Sequence, residues 1–341
     1  MKYYPFGSLI PNRHGNSQSY RYGFNGKELD NELKGEGNSL DYGNRMLDTR
    51  IGRWFAVDKK ERKYPSESSY IFVSNNPIIA IDPDGDEKIV VSGGADLHNK
   101  NRQNFTLAAR NQIRQYKKEL QKSGSKEKVS WLILDKDYTS SEKKALALWA
   151  KKNGIDAPVY VKSADEVVNY INSKSLDKIE LSDKRSLDPI TGLAFMSHGV
   201  PSAIPLGYEN TGWTGKRSDP SVFDSTDISN INSSVFSLNS KVNLFSCNAA
   251  TPLNMEAKDY PSIETLVNDA MTGNNLVKTF SERVPQAIIT GYIGQTSYMK
   301  VNVGQLPSGA TLDGSYSPTV NGESPNSINV KMKDGKVIEN K

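Results

Sequence analysis

Near Glu87 the rhythm of apolar and polar positions along the chain changes. Before it, from Tyr3 to about Asp86, the sequence is rich in Tyr, Gly, Asn and Asp and has little helical period. Asn25-Gly26 marks a hairpin turn after Tyr20-Arg21-Tyr22-Gly23-Phe24, and Gly35, Gly37 and Gly43 punctuate further short strands. Ile51-Gly52-Arg53-Trp54-Phe55 and Tyr70-Ile71-Phe72-Val73 read as strands, with turns at Asn76-Pro77 and Asp82-Pro83-Asp84-Gly85. Large aliphatic residues are few, so this segment is expected to bury little alone and to need a partner surface.

From Glu87 onward, strand-like and helix-like patterns alternate, which predicts an α/β fold with a mostly parallel sheet flanked by helices. Lys88 to Ser92, Val129 to Leu134 and Pro158 to Val161 read as strands. Helices are expected over about 101–122, with Phe105, Leu107, Ala108, Ile113, Tyr116 and Leu120 as its apolar positions, and over about 140–152 and 164–173. Two strands follow, Leu193 to His198 and Val242 to Cys247, separated by a long polar loop reaching about Ser240. Two more helices start near Ser262 and Asn275, and Ala287 to Ile293 is the last core strand. Residues 305–326 are rich in Pro, Gly, Ser and Asn, and Asp334-Gly335 turns a terminal hairpin. The expected division is therefore 1–86, β-rich; 87–304, α/β; and 305–341, a polar tail with a terminal hairpin.

The chemistry gathers where two apolar runs end. Leu193-Ala194-Phe195-Met196 runs into Ser197-His198-Gly199, and Val242-Asn243-Leu244-Phe245 runs into Ser246-Cys247. Cys247 is the only cysteine of 341 residues, and His198 is one of three histidines. In an open parallel sheet, ligands bind at the carboxyl ends of strands. Two neighbouring strands would deliver an imidazole and a thiol to one rim, where the thiol can become a nucleophilic thiolate. A lone cysteine is ordinarily an inert core residue, and a histidine ending a buried strand is ordinarily a satisfied polar group. The joint pattern is what turns both toward catalysis. His98, in a polar loop after the first strand, is the weaker candidate for the base, and His14 reads as a solvated loop residue.

Composition narrows the alternatives. One cysteine excludes an internal disulfide framework and a cysteine-based zinc cluster, and no cofactor or metal site is expected. A net charge of +4 without a dense basic block argues against nucleic acid as a partner. The paired lysines 117–118, 143–144 and 151–152 read as solvated helix faces. No Gly-x-Gly-x-x-Gly or P-loop argues for nucleotide chemistry. No run approaches the length of a membrane span, and Met1 to Arg13 lacks the apolar region of a signal peptide.

The first segment carries a resemblance. Tyr3-Tyr4-Pro5-Phe6-Gly7, Tyr20 to Glu28, Asp41-Tyr42-Gly43-Asn44-Arg45, Arg50-Ile51-Gly52-Arg53-Trp54, Ser74-Asn75-Asn76-Pro77 and Asp82-Pro83-Asp84-Gly85 together resemble the Rhs repeat-associated core, over roughly 3–86. The resemblance implies a tip piece that closes a β-shell built from YD repeats, the shell belonging to a larger chain, with a variable toxin domain following. It further implies delivery into a target cell by a specialised secretion system and an immunity protein guarding the producer. Many Rhs cores end in Asp-Pro-x-Gly-Leu and cut themselves there. Asp86 stands in place of that Leu, a departure that argues against self-cleavage.

The second segment, from about Glu87 to Met299, resembles the caspase, gingipain and clostripain superfamily of cysteine peptidases. His198-Gly199 and Ser246-Cys247 match its two signature pieces, and His198 precedes Cys247 by 49 residues. The resemblance implies a caspase-like fold, Cys247 as nucleophile and His198 as base. It also implies an oxyanion hole of the Gly199 and Cys247 backbone N–H groups, and protein substrates. Asn248-Ala249-Ala250 departs from the caspase run after the cysteine, so no caspase specificity carries over. Selection of substrate would fall to the rim loops 93–98, 200–213, 248–260 and 291–297. Their acids Asp96, Glu209, Glu256 and Asp259 are candidates for a pocket that accepts Lys or Arg. The leading expectation is a cysteine peptidase at the tip of an Rhs-type effector. A non-catalytic caspase-like interaction module and an Rhs-linked toxin of another enzymatic class remain the alternatives.

Overall fold

The computed structural model describes residues 2–13, 22–42, 45–57, 68–75, 77, 87–97, 101–123, 125, 127–177, 185, 188–207, 219–255, 257–298, 302–309 and 318–340. His14, His98, Asp82, Asp84, Asp86, Glu209 and Glu256 lie outside them. The chain divides into two compact units, Met1–Gly85 and Asp86–Lys341.

The first unit is built on a four-stranded antiparallel sheet of short strands. These are β1 (Glu28–Leu29), β2 (Ser39–Asp41), β3 (Met46–Asp48) and β4 (Arg53–Trp54), in sequential order, with helix α1 (Asn31–Lys34) between the first two. Its core is small and mostly aromatic: Leu40, Tyr42, Leu47, Trp54 and Phe72. Tyr42, Trp54 and Phe72 meet edge to face, with ring centroids 5.1–5.6 Å apart, the arrangement ring quadrupoles favour. The strand expected over Tyr70 to Val73 is only an isolated bridge from Ile71 to Arg53, followed by a 3-10 turn over Val73–Asn75. Val73 and Asn75 both take positive φ, which a strand does not allow.

The second unit is a mixed α/β structure around an eight-stranded, mostly parallel sheet. In chain order its elements begin with β5 (Glu87–Ser92), α2 (Asn104–Ser123), β6 (Lys128–Leu134), α3 (Ser140–Lys152), β7 (Val159–Val161), α4 (Ala164–Ser173) and β8 (Ile190–Met196). Then come β9 (Ala203–Pro205), β10 (Val222–Asp224), α5 (Ser225–Ser229), β11 (Phe236–Phe245), β12 (Asp259–Tyr260), α6 (Ile263–Thr272) and α7 (Leu276–Arg283). The last are β13 (Ile288–Ile293), β14 (Thr296–Ser297), β15 (Ser308–Gly309), β16 (Thr319–Val320), β17 (Ile328–Lys333) and β18 (Lys336–Asn340). The central sheet has the order β18-β17-β13-β11-β8-β5-β6-β7. Its six strands from β13 to β7 are parallel, and β17 and β18 add antiparallel to one edge.

Each face of the sheet is covered by its own core. Val90, Trp131, Ile133, Ala194, Met196 and Phe245 pack with Phe105, Ile113 and Tyr116 of α2 and Leu146 of α3. Ile89, Val91, Leu132, Leu193, Phe195, Val242 and Leu244 pack on the other side with residues of α4, α5, α6 and α7. Both cores follow from the sequence periods: alternate strand positions point to opposite faces, and helix positions three and four apart share one. Among the described residues no helix is long and apolar enough to cross a membrane.

Side chains that compete for the backbone set the helix starts. α2 begins at Asn104 rather than near 101, because the Asn101 side chain accepts from Gln103 N–H (3.1 Å). α3 spans Ser140–Lys152 as expected and is capped by Thr139: its hydroxyl accepts from Glu142 N–H, and the Glu142 carboxylate accepts from Thr139 N–H. The loop expected up to Ser240 contains the β9–β10 hairpin, α5 and the first half of β11. The separate tail expected over 305–341 is corrected: 318–340 belongs to the α/β unit. Ile328, Val330 and Met332 alternate inward on β17 and pair with β13, so the hairpin closes the sheet edge. Asp334 and Gly335 take the positive φ that its two-residue turn requires.

At the amino-terminal ends of the parallel strands, Glu87 opens β5 as a fully buried carboxylate. Arg185, also fully buried, donates to it at 2.5 Å, and Tyr170 Oη at 3.2 Å. Removing Arg185 would leave the buried carboxylate to the more distant and partly solvated Lys174, whose Nζ lies 3.6 Å away. Arg185→Met is expected to destabilise the α/β unit by about 3 kcal/mol, read as a lowered midpoint in urea with an unchanged slope.

In the first unit, Arg50 and Lys34 hydrogen-bond the Asp48 carboxylate (3.0 and 2.7 Å) and hold its pKa well below the usual carboxylate range. A depressed pKa in the folded state contributes stability that is complete above about pH 4 and is lost as pH falls toward the folded value. Asp48→Asn should cost the first unit roughly 1–2 kcal/mol at pH 7, since both cations are partly solvated. It should also flatten the acid limb that the wild type shows below about pH 4. Urea titrations followed by the Leu40 and Leu47 methyl resonances from pH 2 to pH 7 check both.

Candidate active site

The ladder between β8 and β11 pairs Met196 with Phe245. Two residues beyond each of them stand His198 and Cys247, so the two residues leave adjacent parallel strands at one level. Met196 and Phe245 face the α2 side. Side chains alternate along a strand, so His198 and Cys247 return to that same side. The surroundings agree: His198 meets Phe105 of α2 edge-on with centroids 4.8 Å apart, and Phe105 in turn meets Tyr298 at 5.1 Å, two residues after Thr296, whose N–H lies 3.3 Å from the Cys247 sulfur.

The strand order places this rim at a topological switch. From β5 the chain crosses to β6 and β7 on one side, then returns to β8 on the other side of β5. Ligands bind at such points, outside the carboxyl ends of the strands. The end of β5 is tied there to the end of β8 by Gly93 N–H to Met196 O (2.9 Å), and to the residue after β9 by Gly94 N–H to Leu206 O (2.8 Å).

Gly199 lies directly against the cysteine. A Cβ on it would stand 1.9 Å from Cys247 O and 2.5 Å from Cys247 N, a space that only glycine leaves open. Among the described residues neither the Gly199 nor the Cys247 N–H donates a hydrogen bond. Cys247 begins a tight turn. Asn248 takes φ 54°, a left-handed conformation asparagine tolerates, and its N–H is spent on Gly294 O. Ala249 O accepts from Leu276 N–H (3.1 Å) and Val277 N–H (3.3 Å) at the start of α7, which fixes the turn from behind.

His198 is about a quarter exposed, and its Nε2 faces Asp96 Oδ1 at 3.5 Å. Asp96 is buried in the loop after β5. Its N–H donates to Arg102 O (2.9 Å), and its Oδ2 accepts from Asn104 Nδ2 (3.2 Å) where α2 begins. The Cys247 sulfur is held from the other flank. Thr296 N–H points at it from 3.3 Å, and Thr296 O and Oγ1 both lie 3.5 Å away. Burial and the neighbouring Cys247 push the Tyr298 phenol well above its ordinary pKa, so it stays protonated and donates to Phe245 O.

Of the residues singled out from sequence, His198, Gly199 and Cys247 are brought together. Asp96 is not available as the floor of a pocket for basic side chains: it is turned onto His198. Asp259 is occupied by Thr319 Oγ1 (2.6 Å) and Gly322 N–H (2.8 Å), which lower its pKa. Asp96 as the partner of the imidazole, Phe105 as its packing surface and Thr296 at the sulfur were not foreseen in those roles. An acid in a loop after the first strand was the one available signal for Asp96. Among the described residues no group of three or more His, Cys, Asp or Glu side chains stands close enough to hold a metal ion. Comparison of the chain with protein-family models, with curated proteins and with solved structures returned no match.

The contact between Gly199 and Cys247 makes a specific prediction. Gly199→Ala cannot be accommodated without moving the Cys247 backbone. It is expected to cost about 2 kcal/mol by overpacking and to slow alkylation of the thiol, as measured by thermal melts and by mass spectrometry of the iodoacetamide-treated protein.

Proposed function

We propose that the α/β unit is a cysteine endopeptidase of caspase-like fold, with Cys247 as nucleophile and His198 as general base and acid. Together with the Rhs-core-like first unit it would form the toxic tip of an Rhs-type effector. The observation that carries this reading is the common level of Cys247 and His198 on neighbouring parallel strands, with Gly199 wedged against the cysteine backbone.

The chemistry then runs as follows. With Nε2 facing the Asp96 carboxylate, the imidazole keeps its proton on that nitrogen, and Nδ1 is the atom that exchanges protons. Nδ1 takes the thiol proton as the sulfur attacks the peptide carbonyl carbon. The tetrahedral oxyanion is met by the N–H groups of Gly199 and Cys247. The carbon–nitrogen bond breaks as the imidazolium protonates the leaving amine. A water molecule, deprotonated by the same Nδ1, attacks the thioester and releases the new carboxyl end and the free thiol. The 3.5 Å between His198 and Asp96 is longer than a good hydrogen bond, as is common before substrate tightens a site.

The test is turnover of denatured protein and of fluorogenic peptide pools. Cys247→Ser and His198→Ala should each abolish nearly all of it while the fold survives, and the double variant should be little worse than either. Asp96→Asn should lower kcat by about a hundredfold or more through the wrong imidazole tautomer, with KM nearly unchanged. Turnover that survives Cys247→Ser, or full toxicity of Cys247→Ala inside target cells, would overturn the reading.

A further inference from the structure

The Cys247 sulfur touches one residue through three different atoms. Thr296 N–H can only donate, and it lies 3.3 Å from Sγ; Thr296 Oγ1 and O both lie 3.5 Å from it. These are good distances for sulfur, whose hydrogen bonds are long. A neutral thiol can give its proton to the Thr296 carbonyl. A thiolate has no proton to give and instead accepts, and here it faces two donors, the N–H and the hydroxyl. Hydrogen bonds to the charged form of a group favour that form, and those to charged acceptors are the stronger ones.

Thr296 owes its position to parts other than the cysteine. It opens β14, which pairs antiparallel with β15, Thr296 opposite Gly309 and Ser297 opposite Ser308. The next residue, Tyr298, is pinned through its hydroxyl to Phe245 O and through its ring to Phe105. The chain between the two strands is clamped by Asn111, a buried residue of α2. Asn111 donates to Asn302 O (2.7 Å) and Gln305 O (2.5 Å) and accepts from Gly304 N–H (2.8 Å). The hairpin is thus built onto α2 and the end of β11, and it presents Thr296 to the sulfur from the flank opposite His198.

We propose that Thr296 is the positioning residue of the nucleophile: its N–H and hydroxyl fix the Cys247 sulfur at the rim and stabilise the thiolate formed when its proton leaves, an inference that rests on the peptidase reading of Cys247. When the proton passes from sulfur to His198 Nδ1, the Thr296 hydroxyl rotates to donate to the new anion, and no other bond changes.

The single cysteine makes the test clean, because one iodoacetamide adduct reports one site. The full chain, Thr296→Val and Thr296→Ser are alkylated at pH 6 and pH 9. Thr296→Val, which keeps shape but loses the hydroxyl, should react about three- to tenfold more slowly than wild type at pH 6 and within about twofold of it at pH 9. Thr296→Ser should restore the pH 6 rate, and peptide turnover should follow the same order through kcat. A Thr296→Val profile identical to wild type would overturn the role of Thr296 and leave the peptidase reading to stand on turnover. Equal slowing by Val and Ser with a lowered melting temperature would reduce Thr296 to a structural residue, which also overturns the proposal. A wild-type thiol no faster at pH 6 than free cysteine, without peptide turnover, would sink both readings together.

Discussion

The parallel ladder between β8 and β11 is the constraint on which the site depends. Backbone hydrogen bonds fix the register, and the register fixes which residues emerge at equal height. Because side chains alternate, a slip of one residue would turn either His198 or Cys247 to the other face. The apolar runs guard against that slip. Leu193, Phe195, Val242 and Leu244 fill one core, while Ala194, Met196 and Phe245 fill the other. A shifted strand would have to exchange its residues between two closely packed layers. The energy that holds His198 and Cys247 in place is therefore mostly apolar burial several residues below them.

Above the ladder, the rim is assembled from backbone contacts that tolerate little change. Gly199 crosses Cys247 at a distance only glycine allows, and Asn248 turns the chain with a positive φ just after Cys247. His198 and Cys247 are then each held from a separate element. The loop after β5 supplies Asp96 to His198, and the β14–β15 hairpin supplies Thr296 to Cys247. Phe105 and Tyr298 join the two flanks through edge-to-face contacts. The site is thus set between an acid on one side and a hairpin on the other, with α2 beneath both.

Much of this was legible in the sequence, and the part that was not has a common cause. The helices of the second unit were readable because each buries one face, which leaves a period of three and four. The two runs ending in His198 and Cys247 were readable because buried strands are continuous apolar stretches. Strand order left no local signal, since a period of two says which face a residue takes and nothing about its neighbour strand. The same holds for Asp96 and Thr296: an acid or a threonine in a loop looks the same whether it meets solvent or the side chain of His198 or Cys247. The closing hairpin was recognisable from Asp334-Gly335, but its place at the edge of the sheet was not, because only the pairing with β13 assigns it. In the first unit the aromatic content was plain. The positive φ at Val73 and Asn75, which replaced an expected strand by a 3-10 turn, was hidden because tertiary context overrode the β-propensity of Ile71 to Val73.

On the proposed reading, sulfur, imidazole and two backbone donors surround one carbonyl carbon at a single rim. A crystal structure of the α/β unit with a peptide aldehyde tests it most directly, because the aldehyde carbon bonds only to an activated nucleophile. The account predicts a bond from the aldehyde carbon to Cys247 Sγ, the resulting oxygen within about 3 Å of the Gly199 and Cys247 nitrogens, and His198 Nδ1 on the sulfur side of its ring. An unmodified thiol under the same conditions, or a sulfur more than about 8 Å from the His198 ring, would contradict it.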